Sequence, residues 1–270
     1  MNPRLAIPFY LGLGAPAERR RYADCQVRAA AGSDAELMRT LLLIYRGESA
    51  AGKRRAINHR CAEIVLPAGR PAQDSEGSFG VPEGRFFFKE FPWHHRFHDL
   101  ERWLRLSRVD RAWRAAYLLP GLGINTPRAV GTATARASNG RPIEYLATEW
   151  LEDARPFPEV VHAATNKEER LTLVCEFARH LRLWHDQGVY LRDLVKNVLV
   201  TAGGVERTFW LTDLDGLHPA KGVGRGRVIR HMQQLAHHVG ALTAAEADAV
   251  CASYADRRDE EMAEALKVPP

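Results

Sequence analysis

No stretch of this chain approaches the roughly 18 to 20 consecutive apolar residues that a membrane-spanning helix needs. Its longest candidates are 41–45 and the proline-broken run 5–17, so no span is expected. Cysteine is scarce: the 270 residues hold four, Cys25, Cys61, Cys175 and Cys251, far apart and without a CxxC or paired Cys/His spacing. Such a pattern indicates neither a zinc site nor a disulfide framework, and implies reduced thiols in a cytoplasmic setting. The early apolar run carries Pro8 and Pro16 and is followed by Arg19-Arg20-Arg21, which fits a secretory signal poorly. Repeats and low-complexity tracts are also missing. With 46% apolar and 26% charged residues, disorder, collagen and coiled coil are excluded as descriptions of the whole. A net charge of +5 suits an anionic partner such as nucleotide, acidic lipid or nucleic acid, without choosing among them.

What is present changes in character along the chain. Residues 1–36 are rich in Arg, Ala, Gly and Pro with no clean period and are expected to be an extension. The runs 41–45, 62–66 and 85–91 read as strands of a small antiparallel sheet, with a Gly- and Pro-rich loop at 67–84. From His98 to Leu119 apolar residues recur at three- and four-residue steps, the spacing of one long helix or of two joined near Ser107. Two further strands, 127–132 and 143–151, flank a turn at Ser138-Asn139-Gly140. Beyond Leu151 helices dominate: 167–186 is amphipathic and closed by Gly188, a hairpin follows at 197–211, and the tail from Val228 reads as two helices broken at 240–243. An α+β fold is predicted, with residues 37–151 as a mostly antiparallel lobe carrying one main helix and 152–270 as a mainly helical lobe.

The chemistry concentrates in Tyr190-Leu191-Arg192-Asp193-Leu194-Val195-Lys196-Asn197, between an amphipathic helix and a short strand. Phosphoryl transfer needs a carboxylate near the acceptor hydroxyl and hard oxygen ligands for magnesium. Asp193 suits the first role and Asn197 the second. Twenty residues past Asp193, Leu211-Thr212-Asp213-Leu214-Asp215-Gly216 sets a carboxylate at the end of an apolar strand, where a second metal ligand would arrive. Upstream, Phe86-Phe87-Phe88-Lys89-Glu90 places one lysine in an aromatic strand, able to reach nucleotide phosphates. Each piece has a plain structural reading: Asp and Asn cap turns, Asp-Leu-Asp-Gly is a β-turn, and Lys89 is a solvated strand residue. Their order and context favour the functional one.

With these residues in hand, the chain resembles the protein-kinase-like superfamily and, within it, the bacterial lipopolysaccharide core kinases that phosphorylate Kdo or heptose. The resemblance runs from Phe86 to Pro219 and includes Gly123-Ile124-Asn125-Thr126-Pro127-Arg128, Thr148-Glu149-Trp150-Leu151-Glu152-Asp153-Ala154 and Leu183-Trp184-His185-Asp186-Gln187-Gly188-Val189-Tyr190. It implies a two-lobed kinase fold using ATP and Mg2+. Lys89 would contact ATP phosphates and main-chain groups near Glu149 and Leu151 would meet adenine. Asp193 would serve as catalytic base, and Asn197 and Asp213 would hold magnesium. The implied acceptor is a sugar hydroxyl of lipopolysaccharide core at the cytoplasmic face of the inner membrane, with no role for nucleic acid. The same motifs would serve a kinase for another small molecule or a protein, or a nucleotide-binding pseudokinase.

Four departures mark this chain. Leu191 stands where the catalytic loop usually begins with His, and Asp193 precedes Asn197 by four positions instead of five. Ala112 stands where the acidic partner of the lysine is expected, leaving Asp110 or Glu101 as substitutes, and no Gly-x-Gly-x-x-Gly is found. Gly47 to Arg54 matches GxxxxGK but lacks the final Ser/Thr, so a polar turn is expected there. Arg102, Arg105, Arg108, Arg111 and Arg114 form a basic band, read either as a plain solvated helix face or as a surface for phosphorylated glycolipid or peripheral contact with an anionic membrane. His94, His95 and His98 lack the further ligands of a metal site.

Overall fold

A computed structural model describes residues 17–30, 35–67, 84–92, 107–138, 140–203, 206–219, 222–255 and 259–267. The chain separates into two compact units: the described parts of Gly14–Tyr117 with Pro127–Trp150, and of Leu118–Thr126 with Leu151–Pro270. The first is built on a sheet and the second mainly on helices. This is the α+β division expected of a kinase-like chain.

In the sheet unit, β1 (Ala17–Arg21) and β2 (Cys25–Ala30) lead into α1 (Ala35–Arg46). Then come β3 (Lys53–Ala56), β4 (Cys61–Leu66), β5 (Gly84–Pro92), α2 (Arg108–Leu118), β6 (Ala129–Arg136) and β7 (Pro142–Glu149). All seven strands form one antiparallel sheet in the order β1-β2-β6-β7-β5-β4-β3. Two expectations are corrected here. Residues 17–30 do not trail as an extension but add two strands to the sheet. Their buried Cys25, Val27 and Ala29 alternate with more exposed residues, the period-2 signature written in small side chains.

The run 41–45 is helical, not a strand. Read over a longer window, Leu37, Met38, Leu41, Leu42 and Tyr45 share one helix face, and that face is buried. Gly47, at φ +77°, closes the helix: its N–H donates to the Ile44 carbonyl (3.1 Å) and the Glu48 N–H to Leu43 (2.8 Å), a Schellman stop. Lys53 and Arg54 then begin β3, so no phosphate-loop helix follows the GxxxxGK match. Under α1 the rings of Tyr45, Phe88 and Tyr145 meet at 4.9 to 5.8 Å. Helix α2 begins just past Ser107, as one of the two expected arrangements requires. The segment 98–106, the histidines at 94, 95 and 98, and Arg102 and Arg105 lie outside the described residues.

In the helical unit, β8 (Arg155–Pro156) and α3 (Phe157–His162) precede the long α4 (Lys167–Asp186). Asn166 caps α4 by accepting from the Glu169 N–H (2.8 Å), while the Glu169 carboxylate accepts from the N–H of Thr165, one residue before the cap (2.8 Å). Strands β9 (Val189–Tyr190), β10 (Val198–Gly203), β11 (Glu206–Leu211) and β12 (His218–Pro219) follow, then α5 (Arg225–Val239), α6 (Ala244–Ala255) and α7 (Glu260–Lys267). Phe157, Phe177, Trp184 and Phe209 fill the core of this unit with stacked and edge-on rings. No helix among the described residues is long and apolar enough to cross a membrane.

Candidate active site

In the helical unit, Gly188 ends α4 in the left-handed region (φ +75°), its N–H donating to the His185 carbonyl at 2.9 Å. The chain passes through β9, paired with β12, and enters the loop 191–197. Leu191, Leu194 and Val195 are buried, whereas Arg192, Asp193 and Lys196 are exposed. Apolar anchors on both sides therefore pin a short segment whose polar tips face solvent. Lys196 Nζ lies 3.1 Å from Asp193 Oδ2, with both side chains about half exposed. Such a pair contributes at most about 1 kcal/mol, so the Asp193 carboxylate is easily released to another partner.

Residues 195–197 form one 3-10 turn, with the Asn197 N–H donating to the Leu194 carbonyl at 3.0 Å. The β10–β11 register pairs Val198 with Leu211, which sets Asn197 opposite Thr212. Thr212 donates twice to the Asn197 carbonyl, from its N–H and its hydroxyl, each at 2.8 Å. Asp213 comes next, exposed and left-handed at φ 56°, ψ 48°. For a non-glycine residue this conformation costs on the order of 1 kcal/mol, a cost Asp bears better than most. The buried Leu214 and Asp215 behind it, and a Leu211 N–H bond to the Asn125 carbonyl (2.8 Å), hold the turn in place. The hairpin thus brings Asn197 and Asp213 side by side, with Asp193 four residues ahead on the same loop.

The donors that Asn197 and Asp213 offer, an amide oxygen and a carboxylate, are hard and suit magnesium, which binds few protein ligands and completes its shell with water and phosphate oxygens. Among the described residues no group of three or more His, Cys, Asp or Glu could hold a metal.

The sheet unit carries the other sequence-predicted residues. Lys89 lies on β5 between Cys61 of β4 and Leu146 of β7, its ammonium 4.8 Å from the centre of the Phe91 ring. Asp110 does not stand in as its acidic partner. The Asp110 carboxylate accepts from Arg28 Nη1 at 2.9 Å, and Arg28 also lies over Trp113. Glu101 lies outside the described residues.

Beside Lys89, β3 and β4 join through Ile57–Arg60, a turn without glycine. The Asn58 carboxamide oxygen accepts from the Arg60 and Cys61 N–H groups at 2.8 and 2.9 Å, and the Glu90 N–H donates to the Arg60 carbonyl at 2.8 Å. Glu149, at the end of β7, accepts from the Arg128 N–H (2.9 Å) and faces its guanidinium (3.5 Å). The Trp150 N–H donates to the Arg85 carbonyl at 3.0 Å. Leu151 begins the stretch that belongs to the helical unit.

One polar group escaped the sequence motifs. His185 on α4 and His231 on α5 are almost wholly buried, with Nε2 of the first 2.8 Å from Nδ1 of the second. His185 Nδ1 lies 2.7 Å from the Tyr254 hydroxyl on α6, and His231 Nε2 is 2.8 Å from the Leu191 carbonyl. Burial pushes His231 down to about 4, against the bond to the Leu191 carbonyl and together with Arg230 and Arg227, while burial, His231 and Arg182 push His185 further down. Of these side chains only His185 falls in a sequence motif, the run Leu183-Trp184-His185-Asp186-Gln187-Gly188-Val189-Tyr190. His231 and Gln234, polar and three apart on the otherwise amphipathic α5, were the available signal for the rest.

No family model matches the chain, and no curated protein does. Among solved structures there is a distant likeness. The chain is similar to one described as WaaP in complex with acyl carrier protein, at 16% identity over 76% of this chain and 79% of that one, with a TM-score of 0.48. At that distance the roles of individual residues have to come from this chain alone.

Proposed function

We propose that this chain is an ATP-dependent phosphotransferase acting on a sugar hydroxyl of lipopolysaccharide core at the cytoplasmic face of the inner membrane. The observation that carries the reading is the hairpin stitch: Thr212 bonded twice to the Asn197 carbonyl, setting Asp213 beside Asn197 and both just beyond Asp193. Asn197 and Asp213 would hold Mg2+, which when bound offsets the negative charge on the transferring group.

Asp193 orients the acceptor hydroxyl and takes its proton as the new oxygen–phosphorus bond forms and the bond to the β-phosphate oxygen breaks, releasing ADP. Lys196, already beside Asp193, is a second cation within reach of the phosphates. Lys89 would bind ATP phosphates, and main-chain groups near Glu149 and Leu151 would meet adenine, the Glu149 and Trp150 N–H groups being engaged with the Arg128 and Arg85 carbonyls. Tyr190 borders a cleft of ≈ 560 Å³ lined also by Gly224, Arg225, Gly226, Arg227 and Arg230. Arg225 is neutralised by Asp259 and Glu261, but Arg227 and Arg230 have no acidic partner among the described residues, which suits an acceptor rich in negative charge.

The test is phosphate transfer from labelled ATP with Mg2+ to a panel of lipid-linked core sugars, free sugars and protein acceptors. We expect labelling of the core sugar, and a fall in turnover of roughly a hundredfold or more for Asp193→Ala. Near-normal turnover in that variant would sink the assignment of Asp193. Labelling confined to protein would overturn the sugar acceptor.

A further inference from the structure

The loop that carries Asp193 is held from beneath by α5. His231 and Gln234, three residues apart on that helix, reach the two carbonyls that immediately precede Asp193: His231 Nε2 meets the Leu191 oxygen at 2.8 Å, and Gln234 Nε2 donates to the Arg192 oxygen in a close contact. A carbonyl only accepts, which sets the direction of every bond behind it. His231 must donate from Nε2 and so accepts at Nδ1. His185 then donates from Nε2 and accepts at Nδ1, and Tyr254 donates its hydroxyl.

The rings are also stacked. Tyr190 lies on His231 (5.1 Å, 19°), His231 on His185 (5.0 Å, 23°), and the guanidinium of Arg227 covers the outer face of Tyr190 at 4.5 Å. Four elements, α4, β9, α5 and α6, thereby converge on one backbone carbonyl. Leu191 is itself buried and contributes only an apolar side chain, so the polar restraint on its own carbonyl comes from α5.

We propose that His231 and Gln234 are positioning residues that fix the Asp193 carboxylate by holding the Leu191 and Arg192 carbonyls, with His185 and Tyr254 locking the orientation of His231. The proposal rests on the phosphotransferase reading. A bond to each of two consecutive carbonyls removes the freedom of the peptide planes leading to Asp193, and a misplacement of a fraction of an ångström at a reacting group is costly in rate.

The experiment uses the full purified chain as wild type, His231→Leu, His231→Gln, Gln234→Leu and the His231→Leu/Gln234→Leu pair. Glutamine at 231 can donate to Leu191 and accept from His185, so it is the conservative control. Mg2+-dependent ATP turnover should fall tenfold or more in His231→Leu and further in the double variant, with KM for ATP within about twofold. His231→Gln should recover to within about threefold of wild type. Backbone hydrogen exchange at residues 192–197 should quicken in the leucine variants and not in His231→Gln.

A loss of thermal stability with unchanged turnover well below the melting temperature would overturn the proposal, as would unchanged exchange in the loop. Wild-type protein without turnover would instead count against the phosphotransferase reading. Loop exchange would then still decide whether these side chains hold the loop. Should His231→Leu fail to fold, Gln234→Leu and His231→Gln carry the same comparison.

Discussion

Acidification should destabilise this protein through the buried pair His185 and His231. In the unfolded chain each imidazole binds a proton near pH 6.5, whereas in the folded chain burial and the neighbouring Arg182, Arg227 and Arg230 keep both uncharged well below that. Between the two values the unfolded state carries more protons, so stability is lost as pH falls through 6.5. From pH 7 to pH 5 a histidine that stays uncharged when folded forfeits about 2 kcal/mol, so the pair forfeits about 4 kcal/mol. That is a large part of a typical total of about 5 to 15 kcal/mol.

His231→Gln removes one titrating group while keeping a donor and an acceptor, and should therefore lose about 2 kcal/mol less than wild type over the same range. Urea unfolding at pH 7 and pH 5 measures this, followed by far-UV circular dichroism of the helices. Carboxylates and the partly buried His180 titrate equally in both proteins and cancel in the difference. Equal losses for wild type and His231→Gln would refute the reasoning.

Two further outcomes follow from single residues. Asp213 is left-handed, a conformation Asn tolerates and Ala does not, so Asp213→Asn should leave stability within about 0.5 kcal/mol while Asp213→Ala loses about 1 kcal/mol, and both should lose Mg2+-dependent transfer. Chemical unfolding beside an activity assay checks this; a fully active Asp213→Asn would remove Asp213 from the metal site. Phe88, completely buried against Tyr45 and Tyr145, should cost about 3 to 5 kcal/mol when truncated to Ala, and a loss under 1 kcal/mol in urea unfolding would contradict the packing described.

Much of the fold was written in periodicity, and its failures are local. The amphipathic α4, its Gly188 stop and the β10–β11 hairpin were legible because strong spacing and glycine punctuation agreed. The run 41–45 misled because five consecutive apolar residues satisfy strand and helix alike, and only the wider window from Leu37 to Tyr45 separates them. β1 and β2 escaped because β1 runs through the exposed Arg19, Arg20 and Arg21, and β2 sets a single strong strand former, Val27, between the small Cys25 and Ala29, so pairing in the sheet decides the outcome. In the candidate site the hairpin neighbours Asn197 and Asp213 were readable from order, since a two-stranded turn leaves few alternatives for the residues at its open end. The partnership of Asp110 with Arg28, 82 positions apart, was not, because only the β2–β6 register brings Arg28 to that face.

The least legible part is also the part that explains how the loop tolerates its own sequence. Three residues separate Asp193 from Asn197, and leucine at 191 gives the loop no polar side chain at its start. Both features make the position of Asp193 depend on what the surroundings supply. Leu191, Leu194 and Val195 supply depth by burial, which is insensitive to small rotations of the peptide planes. The bonds from His231 and Gln234 to consecutive carbonyls supply what burial cannot, a direction. Sequence reading by motif looks for that direction inside the loop. Here it is delivered from a helix some forty residues downstream, where His231 and Gln234 reach the Leu191 and Arg192 carbonyls.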